Sequence, residues 1–105
     1  ITFHPAWAYF AKRYGLVEAA VIEESPGKEP SVEYIMHVVD VAKDLKVKAI
    51  FAEPQFSTKA ADAIAADSGA EVLLLDPIGG PGLEGRDSYI ALMRYNVGQM
   101  GEAMK

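Results

Sequence analysis

The alternation of short apolar runs with helix-type segments is the feature of this sequence that most restricts its fold. Four β-type runs are predicted, each followed by a helix-type segment, near residues 1–3, 16–22, 48–52 and 71–75. Strands that alternate with helices form parallel sheets joined by right-handed crossovers. The sequence therefore predicts an α/β fold in the order β-α-β-α-β-α-β-α, with a four-stranded parallel sheet flanked by helices on both faces.

Proline, glycine and serine residues mark the ends of the predicted helices. Pro5 suits the first turn of a helix, and Gly15 suits the position just after its end. Three serines have the side chain preferred at helix N-caps and are predicted to begin the later helices: Ser31, Ser57 and Ser88. Apolar residues of the last helix are spaced for one buried face: Tyr89, Leu92, Met93, Val97 and Met100.

Polar side chains follow three of the predicted strands at the point where each strand ends. The pairs are His4-Pro5, Glu53-Pro54 and Asp76-Pro77, whereas the remaining strand runs into Glu23. The carboxyl ends of parallel strands lie along one edge of a sheet, and ligands bind at that edge. We therefore expect His4, Glu53 and Asp76 to face a common crevice.

The residue types at this edge are compatible with three roles. Imidazole and carboxylate groups are ligands for zinc or manganese. His4 and Asp76 could instead form a general base and the acid that orients it. Glu53 and Asp76 could also simply stabilise the N-termini of neighbouring helices. No serine, threonine or cysteine stands in a nucleophile elbow, which argues against a covalent hydrolase.

Composition excludes several other classes of function. The 105 residues suit one domain, and the net charge of -5 with no basic cluster argues against nucleic acid as a partner. The absence of cysteine excludes disulfides and thiolate metal sites. The glycine-rich segment 78–87 lacks a P-loop signature, which favours a lid or partner-contact loop over a phosphate cradle. The chain begins with Ile1 in a predicted strand, so we expect a piece of a longer protein whose signal lies upstream.

Three motifs together resemble the C-terminal domain of the zinc- and manganese-binding solute-binding proteins of ATP-binding-cassette importers. They are HPAWAYFAKRYGL at residues 4–16, FAEPQFS at 51–57 and LDPIG at 75–79. The segments GKEPS at 27–31 and LMRYN at 92–96, with Tyr89, also match this domain. The motifs occur in the expected order, and the resemblance covers essentially the whole chain.

The resemblance implies a receptor rather than an enzyme. Members of this family have two α/β lobes joined by a long helix, and they hold a metal ion between the lobes. They capture the ion outside the cytoplasmic membrane and pass it to a membrane permease. Residues 1–105 would then be the C-terminal metal-binding lobe, without its N-terminal lobe, of a periplasmic or extracellular membrane-anchored protein.

The resemblance also implies the ligands. It places a metal-binding histidine or glutamate at His4 and an aspartate at Asp76, and the other ligands are histidines of the N-terminal lobe. Glu53 does not match a ligand position, so we expect it to orient a ligand or support the structure. Histidine at position 4 favours zinc over manganese.

Two alternatives from other functional classes remain open at this stage. One is a metal-dependent or acid–base enzyme domain that uses His4 and Asp76, and turnover would distinguish it from a binding lobe. The other is an adhesin-like interaction module, because some members of the family are adhesins.

Overall fold

Four helices and two parallel strands form the regular structure of the computed structural model, which describes residues 1–105. In chain order they are α1 (Ala8–Tyr14), α2 (Val32–Asp44), β1 (Ala49–Ala52), α3 (Lys59–Ser68), β2 (Glu71–Leu74) and α4 (Tyr89–Ala103). β1 and β2 pair in register from Ala49 opposite Glu71 to Ala52 opposite Leu74. None of the helices is long and apolar enough to cross a membrane.

The prediction of four strands was wrong, because only two of the four segments form regular strands. Residues 1–3 and 16–22 are linked by a single parallel bridge between Thr2 and Val21. The first segment has only three residues before the chain turns at His4-Pro5, so its neighbour has little backbone to pair with. Residues 16–19 consequently stay outside any ladder.

The short segments nevertheless keep the parallel arrangement of the sheet. The N–H of Glu23 donates to the carbonyl of Phe3 at 2.8 Å, and the N–H of Phe51 donates to the carbonyl of Ile1 at 2.8 Å. Residues 1–3 therefore lie between residues 20–23 and β1, and β2 lies on the far side of β1.

Helices cover both faces of this layer, as the sequence predicted. Ile50 and Ala52 of β1 pack with α2 and α3 in the larger buried cluster. Phe51 points the other way, because side chains alternate along a strand, and it packs beside Trp7, Leu75 and Met100. The larger cluster contains Ile1, Phe3, Ile22, Val38, Val39, Ala42, Ile50, Ala52, Ala61, Ile64 and Ala65.

Two of the three predicted serine caps are confirmed. The hydroxyl oxygen of Ser31 accepts from the N–H of Tyr34 at 3.1 Å, and that of Ser88 accepts from the N–H of Ala91 at 3.2 Å. The prediction for Ser57 was wrong, since α3 follows Thr58. The hydroxyl of Thr58 donates to the Asp62 carboxylate instead of capping the helix.

The buried face of α4 differs from the predicted apolar face. Tyr89 and Val97 are exposed, at 76% and 50% of their surface. The buried residues of this helix are Leu92, Asn96, Met100 and Ala103. The reason is Asn96, whose amide bonds to the backbone of Asp76 and turns this polar residue inward.

Candidate functional site

His4 lies between two carboxylates at the carboxyl edge of the sheet. Its Nδ1 atom is 2.8 Å from Oε2 of Glu53, and its Nε2 atom is 3.1 Å from Oε1 of Glu23. This follows from the order of the extended segments, because residues 1–3 lie between residues 20–23 and β1. All three side chains are buried.

The surroundings of His4 favour its protonated form. Phe3 and Phe56 pack against the imidazole, with ring centroids 4.8 and 4.7 Å away. Burial acts to lower the pKa of His4, but hydrogen bonds with Glu53 and Glu23 and their negative charges outweigh it. The pKa of His4 is therefore raised above its ordinary value of 6.5.

The two glutamates are held differently. Oε1 of Glu23 also accepts from the backbone N–H of Gly27 at 2.6 Å, which ties this side chain to the following loop. Glu53 bonds to His4 through Oε2, whereas its other oxygen, Oε1, is buried without a hydrogen-bond partner. Glu23 and Glu53 approach opposite nitrogens of one ring, so the three side chains do not converge on a single point. No group of three His, Cys, Asp or Glu side chains is arranged to hold a metal ion.

Asp76 follows β2 and is completely buried, and its carboxylate accepts four hydrogen bonds. Oδ1 accepts from the Gln55 amide at 2.8 Å and from the backbone N–H groups of Ile78 and Gly79 at 3.1 and 2.8 Å. Oδ2 accepts from the guanidinium of Arg86 at 2.8 Å. Burial acts to raise the pKa of Asp76, but these donors outweigh it and hold the pKa below 3.8.

The structure places the predicted residues in two adjoining groups rather than in one crevice. Glu53 contacts His4, whereas Asp76 lines a surface cavity of about 750 Å³ that does not include His4. Gln55 connects the groups, since it follows Glu53 by two residues and bonds to Asp76. The prediction that His4 and Asp76 coordinate a metal is not tested by this geometry and stays a prediction.

Sequence reasoning gave no role to four residues of these groups: Glu23, Gln55, Asn96 and Arg86. Glu23 ends an extended segment, as His4 and Glu53 do, so its position was a usable signal. Asn96 lies between Leu92 and Met100 at intervals of four residues, which places a polar side chain in an apolar helical stripe. Arg86, within the glycine-rich loop, carried no comparable signal.

The fold and this edge define a class: an α/β protein that gathers histidine and carboxylate side chains at the carboxyl end of a parallel sheet. Within that class the family can be named. The zinc-uptake complex component A family, described as periplasmic, matches residues 1–103, and the chain belongs to this ZnuA family. The resemblance seen in the sequence is thereby confirmed.

Relatives in the family carry the names of metal uptake proteins. The high-affinity zinc uptake system protein ZnuA of Brucella abortus (strain 2308) is 36% identical over 94 residues, which cover 90% of this chain and 28% of that protein. ZnuA of Bacillus subtilis is 34% identical over 99% of this chain and 34% of its own length. The manganese transporter lipoprotein PsaA of Streptococcus pneumoniae serotype 4 is 28% identical over 99% of this chain and 34% of its own. The chain spans about a third of the length of these relatives.

Solved structures agree with this relationship. A crystal structure of ZnuA matches with a TM-score of 0.74 and 38% identity over 97% of this chain and 36% of that one. The laminin-binding adhesin Lmb of Streptococcus agalactiae, solved as a mutant, matches with a TM-score of 0.82 and 36% identity. The match covers 99% of this chain and 39% of that one. The solute-binding protein FpvC of Pseudomonas aeruginosa, in complex with Ni²⁺, matches with a TM-score of 0.78 and 32% identity. The match covers 97% of this chain and 37% of that one.

Proposed function

We propose that this chain is the C-terminal lobe of a solute-binding protein that captures zinc outside the cytoplasmic membrane. The whole protein would deliver the ion to an ATP-binding-cassette permease, from the periplasm or from an anchor on the outer surface of the membrane. The family match over residues 1–103 and the names of the relatives support this proposal. None of the relatives named above is named as an enzyme.

The observation that carries the proposal is the contact between His4 and Glu53. Metal-binding histidines usually donate their second ring N–H to a carboxylate, which fixes the ring and makes the ligating nitrogen more basic. Oε2 of Glu53 lies 2.8 Å from Nδ1 and would serve this purpose. Nε2 would then be the ligand, and Glu23 would have to release it when the metal binds.

Zinc is the ion that this lobe fits best. Imidazole suits zinc, whereas carboxylate, carbonyl and water oxygens suit manganese. His4 offers imidazole, and the Brucella and Bacillus relatives are named for zinc uptake. PsaA is named for manganese, so a comparison of the two ions belongs in any test.

The chain would supply only part of the metal site. A zinc ion held by protein usually has three or four protein ligands. His4 is one candidate and Asp76 is the second, although the four hydrogen bonds of Asp76 would compete with coordination. The remaining ligands would come from an N-terminal lobe, for which the length of the relatives leaves room.

Calorimetric titration of zinc and manganese into the full-length protein tests this function. His4→Ala should lower the zinc affinity by at least about tenfold, because a ligand is lost and even the loss of a group that only orients a ligand typically costs about 10- to 100-fold. His37→Ala is the matched control, since His37 is exposed on α2 and contacts neither Glu23 nor Glu53. Equal zinc affinity in the wild type and His4→Ala would contradict the proposal.

Adhesion is a second candidate function for the whole protein. The observation in its favour is the match to Lmb of Streptococcus agalactiae, which is described as a bifunctional protein with adhesin and metal transporting activity. Its structure is 36% identical to this chain and matches with a TM-score of 0.80. Surface plasmon resonance with immobilised laminin would test it, and an absence of saturable binding by the zinc-loaded protein would reject it.

A further inference from the structure

The two faces of the sheet are covered unequally. The face beneath α2 and α3 buries a cluster of eleven apolar residues, whereas the face beneath α1 and α4 buries only Trp7, Leu75 and Met100. An open groove of about 270 Å³ remains between α1 and the end of α4, and fourteen of its seventeen lining residues are apolar. Exposed apolar surface that is gathered in one place marks a site where another group packs.

The chemistry of the groove favours an apolar occupant. Val17 and Met104 line it and are 87% and 54% exposed. Its polar side chains are already bonded, since the hydroxyl of Thr2 donates to Glu18 at 2.9 Å and Nζ of Lys48 donates to a backbone carbonyl at 2.8 Å. An apolar segment would leave these bonds intact and would gain from the burial of Val17 and Met104.

Ile1 indicates which part of a longer chain would reach the groove. It lines the groove and is only 7% exposed, and its amino group donates to the carbonyl of Ala49 at 3.4 Å. Burial lowers the pKa of this amino group below 8.0, although the charge of Glu18 opposes the shift. A peptide bond at the same position carries no charge, so this buried position suits a continuing chain better than a charged amine.

The other end of the chain lies differently. Lys105 is exposed, so a residue after it would pass directly into solvent, whereas a residue before Ile1 would start beside a buried residue within the groove. The relatives have the chain length that such a segment requires. ZnuA of Brucella abortus and ZnuA of Bacillus subtilis match over only 28% and 34% of their own lengths.

We propose that the segment immediately preceding Ile1 in the whole protein packs its apolar side chains into this groove. The inference rests on the part of the proposed function that makes the chain one lobe of a longer protein. It goes further by naming the surface to which the rest of that chain is attached. The groove includes neither His4 nor Asp76, so the inference does not depend on which residues bind a metal.

Photo-crosslinking within the purified full-length protein tests the occupant directly. Benzoylphenylalanine is placed at Val17 in one variant and at Met104 in a second, and mass spectrometry identifies the peptide that each captures on irradiation. We expect a peptide from the residues just before Ile1, captured within the same molecule. Val32 is the matched control position, because it is 76% exposed on α2, which covers the other face, and should not capture this peptide.

A pair of matched substitutions in the full-length protein provides an independent measurement. Val17→Asn should lower the midpoint of thermal unfolding by at least about 2–4 °C, because an unpaired amide would be buried beneath the segment. Val32→Asn should change the midpoint much less, since Val32 is exposed and, like Val17, is followed by a glutamate. Equal shifts in the two variants, with circular dichroism verifying that both are folded, would contradict the inference.

The other crosslinking results would each overturn the inference. A captured peptide that follows Lys105 would assign the groove to the opposite end of the chain, and a crosslink between two molecules would assign it to a second copy. No crosslink at either position would show that the groove stays open to solvent. Any of these results, with a zinc affinity that still depends on His4, would leave the proposed function standing. A captured peptide from before Ile1, with a zinc affinity independent of His4, would support the groove assignment and remove the metal role.

Discussion

Asn96 of α4 pairs with the backbone of Asp76 through both ends of its side-chain amide. Its Nδ2 donates to the Asp76 carbonyl, and its Oδ1 accepts from the Asp76 N–H, each at 2.8 Å. The chain has left β2 at this point, so these backbone groups have no strand partner. The amide satisfies them in the interior and thereby fixes α4 to the turn that carries the Asp76 carboxylate.

Asn96→Ala should destabilise the fold by about 2 kcal/mol or more, because it leaves a buried N–H and a buried carbonyl unpaired. Urea unfolding followed by circular dichroism measures this loss. Arg94→Ala is the control, since Arg94 is exposed on the same helix and its loss should matter little. Equal free energies of unfolding for the two variants would show that the paired amide contributes no stability.

The contact of His4 with two glutamates should make stability depend on pH. The pKa of His4 is raised above 6.5 in the folded chain, so folding favours the protonated imidazole. The stabilisation is complete below pH 6.5 and is lost as the pH rises through the raised pKa. The free energy of unfolding of metal-free protein, compared with that of His4→Gln, should therefore show an advantage that shrinks toward alkaline pH. An advantage that grows with pH would mean that the glutamates do not stabilise the imidazolium.

The contribution of Asp76 to stability should depend on pH in the opposite direction: it should shrink as the pH falls into the acid range. Its pKa is held below 3.8 by four donors, so folding favours the ionised carboxylate. The stabilisation is present above pH 3.8 and is lost as the pH falls through the lowered pKa. Comparison with Asp76→Asn across the acid range measures it. A difference in stability that stays constant down to the lowest pH at which both proteins fold would contradict this account.

The sequence predicted the four helices and two of the strands in their order along the chain, and it placed His4, Glu53 and Asp76 at the ends of extended segments, because helix signals and strand-ending residues are local. It did not predict that residues 1–3 and 16–22 would lack regular strands, since strand length depends on how much backbone the neighbour offers. The hydrogen-bond partners of the site residues could not be predicted for a similar reason. The contact of Glu23 with His4 depends on the lateral order of segments, which no local pattern specifies.

The loop after β2 is closed by a contact between its two ends, Asp76 and Arg86. The Arg86 side chain binds the Asp76 carboxylate ten residues earlier in the chain, and the Arg86 backbone passes close to Gly79. A Cβ atom at Gly79 would lie 2.6 Å from the Arg86 carbonyl oxygen, and the φ angle there is 65°. Asp76-Pro-Ile-Gly79 is therefore a turn whose glycine makes room for the strand-end carboxylate and its arginine.

Gly79→Ala should destabilise the fold more than Gly82→Ala does. Both residues have a positive φ angle, 65° and 78°, so each alanine pays a similar backbone penalty of about 1–2 kcal/mol. Nothing lies within 4 Å of a Cβ atom at Gly82, whereas at Gly79 the new methyl group would collide with the Arg86 carbonyl. The difference between the two free energies of unfolding, measured in urea, isolates that collision. Because the Gly79 N–H also donates to Asp76, the displaced loop should weaken the hold on the carboxylate as well. Equal losses in the two variants would show that the loop adjusts without strain and that its closure onto Arg86 is not tightly specified.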